Sequence, residues 1–271
     1  MHSIERGQTI IYQFSSFATY GEIEHFVSTR AGGVSDAPYN SLNMGYGTDD
    51  FSLHVLENRH RLASAVDIPL DYFVMANQVH GTNIEIVTKK QRSLGALHKN
   101  NALLATDGMI TQDTEVCLFV MGADCVPLLF FDPEKKVIGA AHAGWRGTIS
   151  DMAGAMVSKM KTAFGSDPAH IIAGIGPSIG TCCYEVGPEV TDAVMQNFST
   201  TEGFIKENEN TGNPILDLWY TNKYLLMAAG VPEKNIEISN VCTRCNQHHF
   251  FSSRGSNGIT GRFGAGIMLY N

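Results

Sequence analysis

The sequence lacks a long apolar run. The longest, Val126 to Phe131, is far too short to cross a bilayer. It lacks an excess of basic residues: 19 Lys and Arg face 27 Asp and Glu, giving a net charge of -8. That balance argues against a duplex-DNA partner, which needs a basic face, so no nucleic acid and no membrane is expected. It lacks repeats, low-complexity tracts and Pro/Ser-rich linkers, and charged residues make up only 17%. A chain of this composition is not disordered, and 271 residues can bury a sizeable core without staples. The first residues, MHSIERGQTIIYQF, carry Glu5 and Arg6 and no apolar stretch of leader length, so a cytoplasmic location is predicted. In a reducing compartment the six cysteines are candidate ligands or reactive thiols rather than a disulfide framework.

The polar stretches Lys89 to Asn101 and Ser199 to Asn213 read as surface loops, and neither marks a domain boundary. A single domain, 1–271, is the simpler reading. Apolar runs predict strands at His25 to Thr29, Tyr72 to Ala76, Asn83 to Val87, Val116 to Met121 and Val126 to Phe131. Further strands are predicted at Val137 to Ala141, Ile171 to Ile175, Ile236 to Val241 and Gly266 to Tyr270. Ile149, Met152, Ala153, Met156, Val157, Met160 and Phe164 recur at helical spacing and predict one helix over Thr148 to Phe164. Others are predicted over Pro188 to Phe198 and Leu218 to Ala229. Strands and helices interleave irregularly, which predicts a mixed-sheet α/β or α+β fold.

The densest chemistry lies in MGADCVPLLFFDP and VIGAAHAGWRGT. Cys125 sits at a break between two apolar strands, and His142 where a strand gives way to a helix. Such positions point side chains into clefts. His80, in NQVHG, is a third candidate. Two imidazoles and a thiolate suit zinc, with a fourth position open. Spacing alone does not decide it: a Cys in an apolar run is more often a packed core thiol, and a His before Gly a turn residue. Cys125 and His142 can equally form the nucleophile–base pair of a cysteine hydrolase. Asp107 and Asp124 are candidate proton carriers or strand-end caps. Arg30, in a Gly-rich loop with Asn43, and Arg146, at a helix start, are candidate anion holders, or ordinary surface groups. Arg254 and Arg262 can complete an anion pocket. Cys242, Cys245, His248 and His249 read as a metal knuckle, though eight residues are short for a tetrahedral site. GIGPSIG departs from dinucleotide-loop spacing and reads as a strand-to-loop turn.

With these residues in view, the chain resembles the YfiH/YlmD family, formerly labelled multicopper polyphenol oxidases or laccase-domain proteins and now regarded as purine nucleoside phosphorylases. The resemblance runs through STRAGGVSDAPYNSLNMG, ENRHRL, NQVHGTNI, ATDGMIT, GADCVPLLFFDP, AAHAGWRGT, GIGPSIGTCCYEVG and CT…FFSSR…GRFGAGIML, in order. It implies a mixed α/β layered sandwich related to cysteine hydrolases. It implies a metal triad on His80, Cys125 and His142, with zinc the expected ion and copper a possible one. It implies phosphorolysis of adenosine, inosine and methylthioadenosine, with adenosine deamination as a companion reaction. Cys125, Asp107 and Asp124 are then the expected catalytic residues, and Arg30, Asn43 and Arg146 the expected holders of substrate and phosphate. A homodimer is the default assembly. Three rivals stand beside this reading: a copper polyphenol oxidase, for which the usual HxH clusters are absent; a cysteine amidohydrolase; and a zinc-stabilised interaction protein.

Overall fold

The computed structural model describes residues 1–271. Its first half runs β1 (His2–Arg6), β2 (Thr9–Gln13), β3 (Ile23–Ser28), α1 (Ser52–Ala65), β4 (Phe73–Met75), β5 (Ile84–Ile86), β6 (Gly108–Thr111) and β7 (Cys117–Gly122). There follow β8 (Val126–Asp132), β9 (Val137–Ala143), α2 (Trp145–Ile149), α3 (Met152–Phe164) and β10 (Ile172–Ile175). The chain closes with α4 (Pro188–Asn197), β11 (Ile205–Glu207), β12 (Pro214–Leu216), α5 (Leu218–Ala228), β13 (Ile236–Ile238) and β14 (Phe263–Leu269). One six-stranded sheet has the order β1-β2-β3-β14-β7-β4, the other β13-β10-β8-β9-β6-β5. Both are mixed: β4 lies parallel to β7, and β5 to β6, among antiparallel neighbours.

Alternation along the strands explains the layers. Leu118 and Val120 of β7 point between the sheets, where they meet Leu129, Phe131, Ile138 and Ala140. Cys117 and Phe119, on the other face of β7, pack with Leu62 and Ala63 of α1. Leu128 and Phe130 of β8 face away from the sandwich, toward Met152, Met156 and Met160 of α3 and Leu225 and Leu226 of α5. Each central strand is thus covered on both sides, which is why β8 reads as an unbroken apolar run. The expected mixed α+β sandwich is the observed fold.

Two expectations change in detail. The helix predicted over Thr148 to Phe164 is two helices. Asp151 adopts a left-handed conformation (φ 61°) and caps α3 by accepting the Gly154 N–H at 2.9 Å, so the chain turns there while the apolar period runs on. The polar stretch Ser199 to Asn213 is not all loop, for β11 pairs with β12. Helix α1 was not anticipated. It buries only Val55, Leu62 and Ala63 among apolar groups, and adds Asn58 and Arg59 to its inner face.

Candidate active site

The β8–β9 hairpin sets the site. Its register pairs Val126 with Ala143 and Pro127 with His142. Cys125, one residue before β8, therefore lies across from Gly144. Residues two apart on a strand share a face, so His142 is the diagonal neighbour of Cys125 on that face. On the other side of β9, Gly108 pairs with Ala141, and the His142 N–H donates to the Asp107 carbonyl at 2.8 Å. Asp107 is thus the cross-strand partner of His142, and its Oδ1 meets His142 Nδ1 at 2.9 Å. That bond leaves Nε2 as the free ring nitrogen.

Asp107 also fixes the third member. Its Oδ1 accepts the His80 N–H at 3.0 Å, and its Oδ2 accepts those of Gly81 at 2.8 Å and Val79 at 3.1 Å. His80 holds a left-handed backbone (φ 64°) at the tip of this loop. Gln78 braces the same loop against β7, donating to Met121 O and accepting from Met121 N, both at 2.8 Å. One donor atom from each of His80, Cys125 and His142 comes within 4.8 Å of the others. Gly144 leaves room for them: a Cβ there would lie 2.9 Å from His80 Cδ2 and 3.1 Å from Cys125 Sγ.

Burial pushes the Cys125 thiol up, but His142 and His80 beside it outweigh that and bring it down to about 6. Burial likewise lowers His142, and the Cys125 thiolate and Asp107 carboxylate more than reverse it, to about 9. Each group thus favours the charged form of the other, a thiolate beside an imidazolium. A thiolate and two imidazoles, one oriented by a carboxylate, form a donor set suited to zinc.

The triad opens on a cavity of about 840 Å³, large enough for a small-molecule ligand. Around it stand Arg59, Lys99, Arg254 and Arg262, while Asp124 is the one acidic residue of the wall. A net-negative chain thus surrounds this cavity with cations. Arg262 gives its Nη1 to the Thr260 and Gly261 carbonyls. Arg254 lies over the Tyr184 ring, 5.2 Å from its centroid, with Nη1 on Glu185 O. Arg59 reaches from α1 to the Met44, Gly95 and Ala96 carbonyls under the Tyr46 ring, without a carboxylate partner. Asp124 spends both oxygens: Oδ1 on the Thr243 hydroxyl and Oδ2 on the Arg254 N–H, each at 2.6 Å.

The structure does not bring Arg30, Asn43 and Arg146 to this wall. Arg30 donates to the Asn40 and Gln247 carbonyls and stacks on Phe251. Asn43 is buried and holds loop backbone, accepting the Gly45 and Arg262 N–H groups. Arg146 is exposed and lies over Trp145, 4.2 Å from the ring centroid. Tyr184, Arg59 and Lys99 were not anticipated as wall residues. Arg59 lies in the ENRHRL stretch that carries the family resemblance, and its place in that string was the signal that could have flagged it.

Comparison with known proteins adds the family. Residues 24–270 match the family model described as multi-copper polyphenol oxidoreductase laccase. Purine nucleoside phosphorylase YlmD of Geobacillus stearothermophilus is 40% identical over 236 residues, 87% of this chain and 86% of that protein. Adenosine deaminase RL5, from an unknown prokaryotic organism, is 34% identical over 90% of this chain and 93% of its own length. The crystal structure of YlmD from Geobacillus stearothermophilus superposes with a TM-score of 0.92 at 37% identity, covering 99% of this chain and 98% of that one.

Proposed function

The chain belongs to this laccase-like family, and on that premise we propose that it is a zinc-dependent purine nucleoside phosphorylase. Its substrates are adenosine, inosine and S-methyl-5′-thioadenosine, and its products the free base and ribose or methylthioribose 1-phosphate. Adenosine deamination accompanies it. The observation that carries the reading is the convergence of His80, Cys125 and His142 on the wall of a cavity whose other charges are almost all cationic.

In phosphorolysis a phosphate oxygen bonds to the ribose C1′ as the bond from C1′ to the purine N9 breaks. The electron pair leaves with the base, which takes up a proton. His80, Cys125 and His142 would hold zinc, which supplies a Lewis acid at the leaving or attacked end of the substrate. Arg254 and Arg262 are placed to hold phosphate, since both face the cavity and keep guanidinium N–H groups beyond those bonded to carbonyls. This reassigns the anion-holding role from Arg30 and Arg146. Tyr184 and Tyr46 offer aromatic faces to a base, although each also carries an arginine. Asp107 and Asp124 act as holders, of the histidines and of the Arg254 loop, because their oxygens are committed to N–H and O–H donors.

The thiolate–imidazolium pair favours a second reading, a cysteine amidohydrolase with Cys125 as nucleophile. It leaves His80 and the cationic wall without a task. Incubating the protein with each nucleoside, with and without phosphate, separates the two. Free base and sugar phosphate only when phosphate is present supports the phosphorylase. Absence of nucleoside turnover, with chelator-resistant and alkylation-sensitive amide hydrolysis, moves the assignment to the thiol enzyme.

A further inference from the structure

Outside the cavity, four thiols meet in one place. β10 and β13 run parallel with Ala173 beside Ile236 and Ile175 beside Ile238, so the loops after them leave from the same end of the sheet. The pairing continues as a single bridge between Ser178 and Cys242. The first loop then carries Cys182 and Cys183, and the second Cys242 and Cys245. Cys182 Sγ and Cys183 Sγ each lie 3.4 Å from Cys245 Sγ, and all four sulfurs lie within 4.8 Å of one another. Four thiolates at the zinc–sulfur distance of a tetrahedral site stand about 3.8 Å apart. The observed range brackets that edge. No cationic side chain bonds to these sulfurs; Arg244, nearest in sequence, points its Nη1 to the Cys183 carbonyl at 3.5 Å.

We propose that Cys182, Cys183, Cys242 and Cys245 form a second metal centre, a closed tetrathiolate site that holds zinc. The histidines suspected from the CxxC stretch are not part of it. The His248 and His249 rings pack on each other at 4.3 Å, and His249 meets the Tyr12 ring edge-on. The long intervening loop that a CxxC knuckle needs is supplied by the distant vicinal pair. A four-thiolate set leaves no open position, so the site is structural, and its place states what it holds. Thr243, inside the CxxC, donates to Asp124, which accepts the Arg254 N–H. Tyr184 follows Cys183 and lies under Arg254. The metal would therefore pin together the two loops that carry this side of the cavity wall. The inference does not depend on which reaction the cavity performs.

The test uses full-length protein purified with zinc and without added reductant. In a Cys125→Ala background, which removes the triad's thiolate, about one zinc per chain is expected to remain. Adding Cys182→Ser and Cys245→Ser should remove it. Cobalt substituted into the Cys125→Ala protein should give the thiolate-to-cobalt charge-transfer and tetrahedral d–d bands of a four-sulfur site, lost with the two serines. If the serine variants do not fold, the wild type answers alone. Cys182, Cys183, Cys242 and Cys245 should resist alkylation until a strong chelator is added, and their modification should release zinc to an indicator dye. Prompt alkylation with no zinc release, or a disulfide between Cys245 and either vicinal cysteine by peptide mapping, overturns the proposal.

Discussion

Replacing Asp107 with Asn removes one acceptor oxygen and adds two N–H donors at the point where the triad is tied together. The aspartate accepts four hydrogen bonds, two on each oxygen: His80 N and His142 Nδ1 on Oδ1, Val79 N and Gly81 N on Oδ2. If Oδ2 becomes the amide nitrogen, the Val79 and Gly81 N–H groups lose their acceptor. If Oδ1 does, the His80 N–H loses it, and His142 must take the tautomer in which Nδ1 accepts and Nε2 carries the proton, so that Nε2 cannot bind a metal. Hydrogen bonds to a charged group contribute about 1.5–3 kcal/mol each. Because Val79 and His80 are exposed and water can reach their N–H groups, the expected loss of stability is about 3 kcal/mol rather than the full sum. Zinc affinity should fall by roughly 10–100-fold, as for other partners that orient a metal-bound histidine. Burial raises the Asp107 carboxyl, and His142 together with the loop N–H groups outweighs it, so the group is held below its usual value. Its charge-dependent stabilisation is then present above the unfolded carboxylate pKa of about 4 and lost as pH falls below it. The gap between wild type and Asp107→Asn should narrow in that direction. Urea unfolding in chelator measures the first effect, and competition with a chromophoric zinc chelator the second. An Asp107→Asn protein with wild-type unfolding midpoint and zinc affinity would refute the tie between the His80 loop and His142.

Gly144→Ala keeps an allowed backbone (φ -68°) but sets a methyl against His80 and Cys125. It should weaken zinc binding at the triad about tenfold or more while changing apoprotein stability by under about 1 kcal/mol, read by the same two assays. Arg262→Gln should raise the KM for phosphate well above its effect on the KM for nucleoside; equal effects on both would remove Arg262 from the phosphate site. His25 is buried with Nε2 accepting the Phe14 N–H, and burial lowers it to about 4. The unfolded chain takes up a proton near pH 6.5 that the folded chain refuses. Between pH 7 and pH 5, stability should therefore fall by about 2 kcal/mol relative to a His25→Leu variant; parallel pH profiles would contradict this.

Cys125, His142 and His80 stood out in the sequence as candidates at a strand break, a strand-to-helix junction and before a glycine, but spacing alone left their role open and only the resemblance to the family joined them as a triad. What ties them together in the fold was not legible. Asp107 reaches His142 through β6–β9 register, a non-local pairing that local pattern does not encode. The cysteine quartet failed to appear for the same reason: Cys242 and Cys245 were matched with the neighbouring His248 and His249, while their partners come from the parallel strand's loop. Arg30 and Asn43 looked like an anion clamp because Gly-rich loops often are one, yet they brace backbone, Arg30 on the Asn40 and Gln247 carbonyls and Asn43 on the Gly45 and Arg262 N–H groups. Arg59 was passed over because α1 has too thin an apolar stripe to announce its buried face. Strands covered on both sides were the easiest to place, β8 and β9 nearly to the residue, whereas the α2–α3 break turns on a single left-handed Asp151 that apolar spacing runs straight through.

The most direct measurement is product analysis of inosine cleavage in phosphate buffer made with heavy-oxygen water, on wild type and Cys125→Ala side by side with their zinc contents. A zinc phosphorylase releases hypoxanthine and unlabelled ribose 1-phosphate, and Cys125→Ala loses both the triad's zinc and this activity. Label in the sugar, release of base that ignores phosphate, or undiminished turnover by zinc-depleted Cys125→Ala would contradict it.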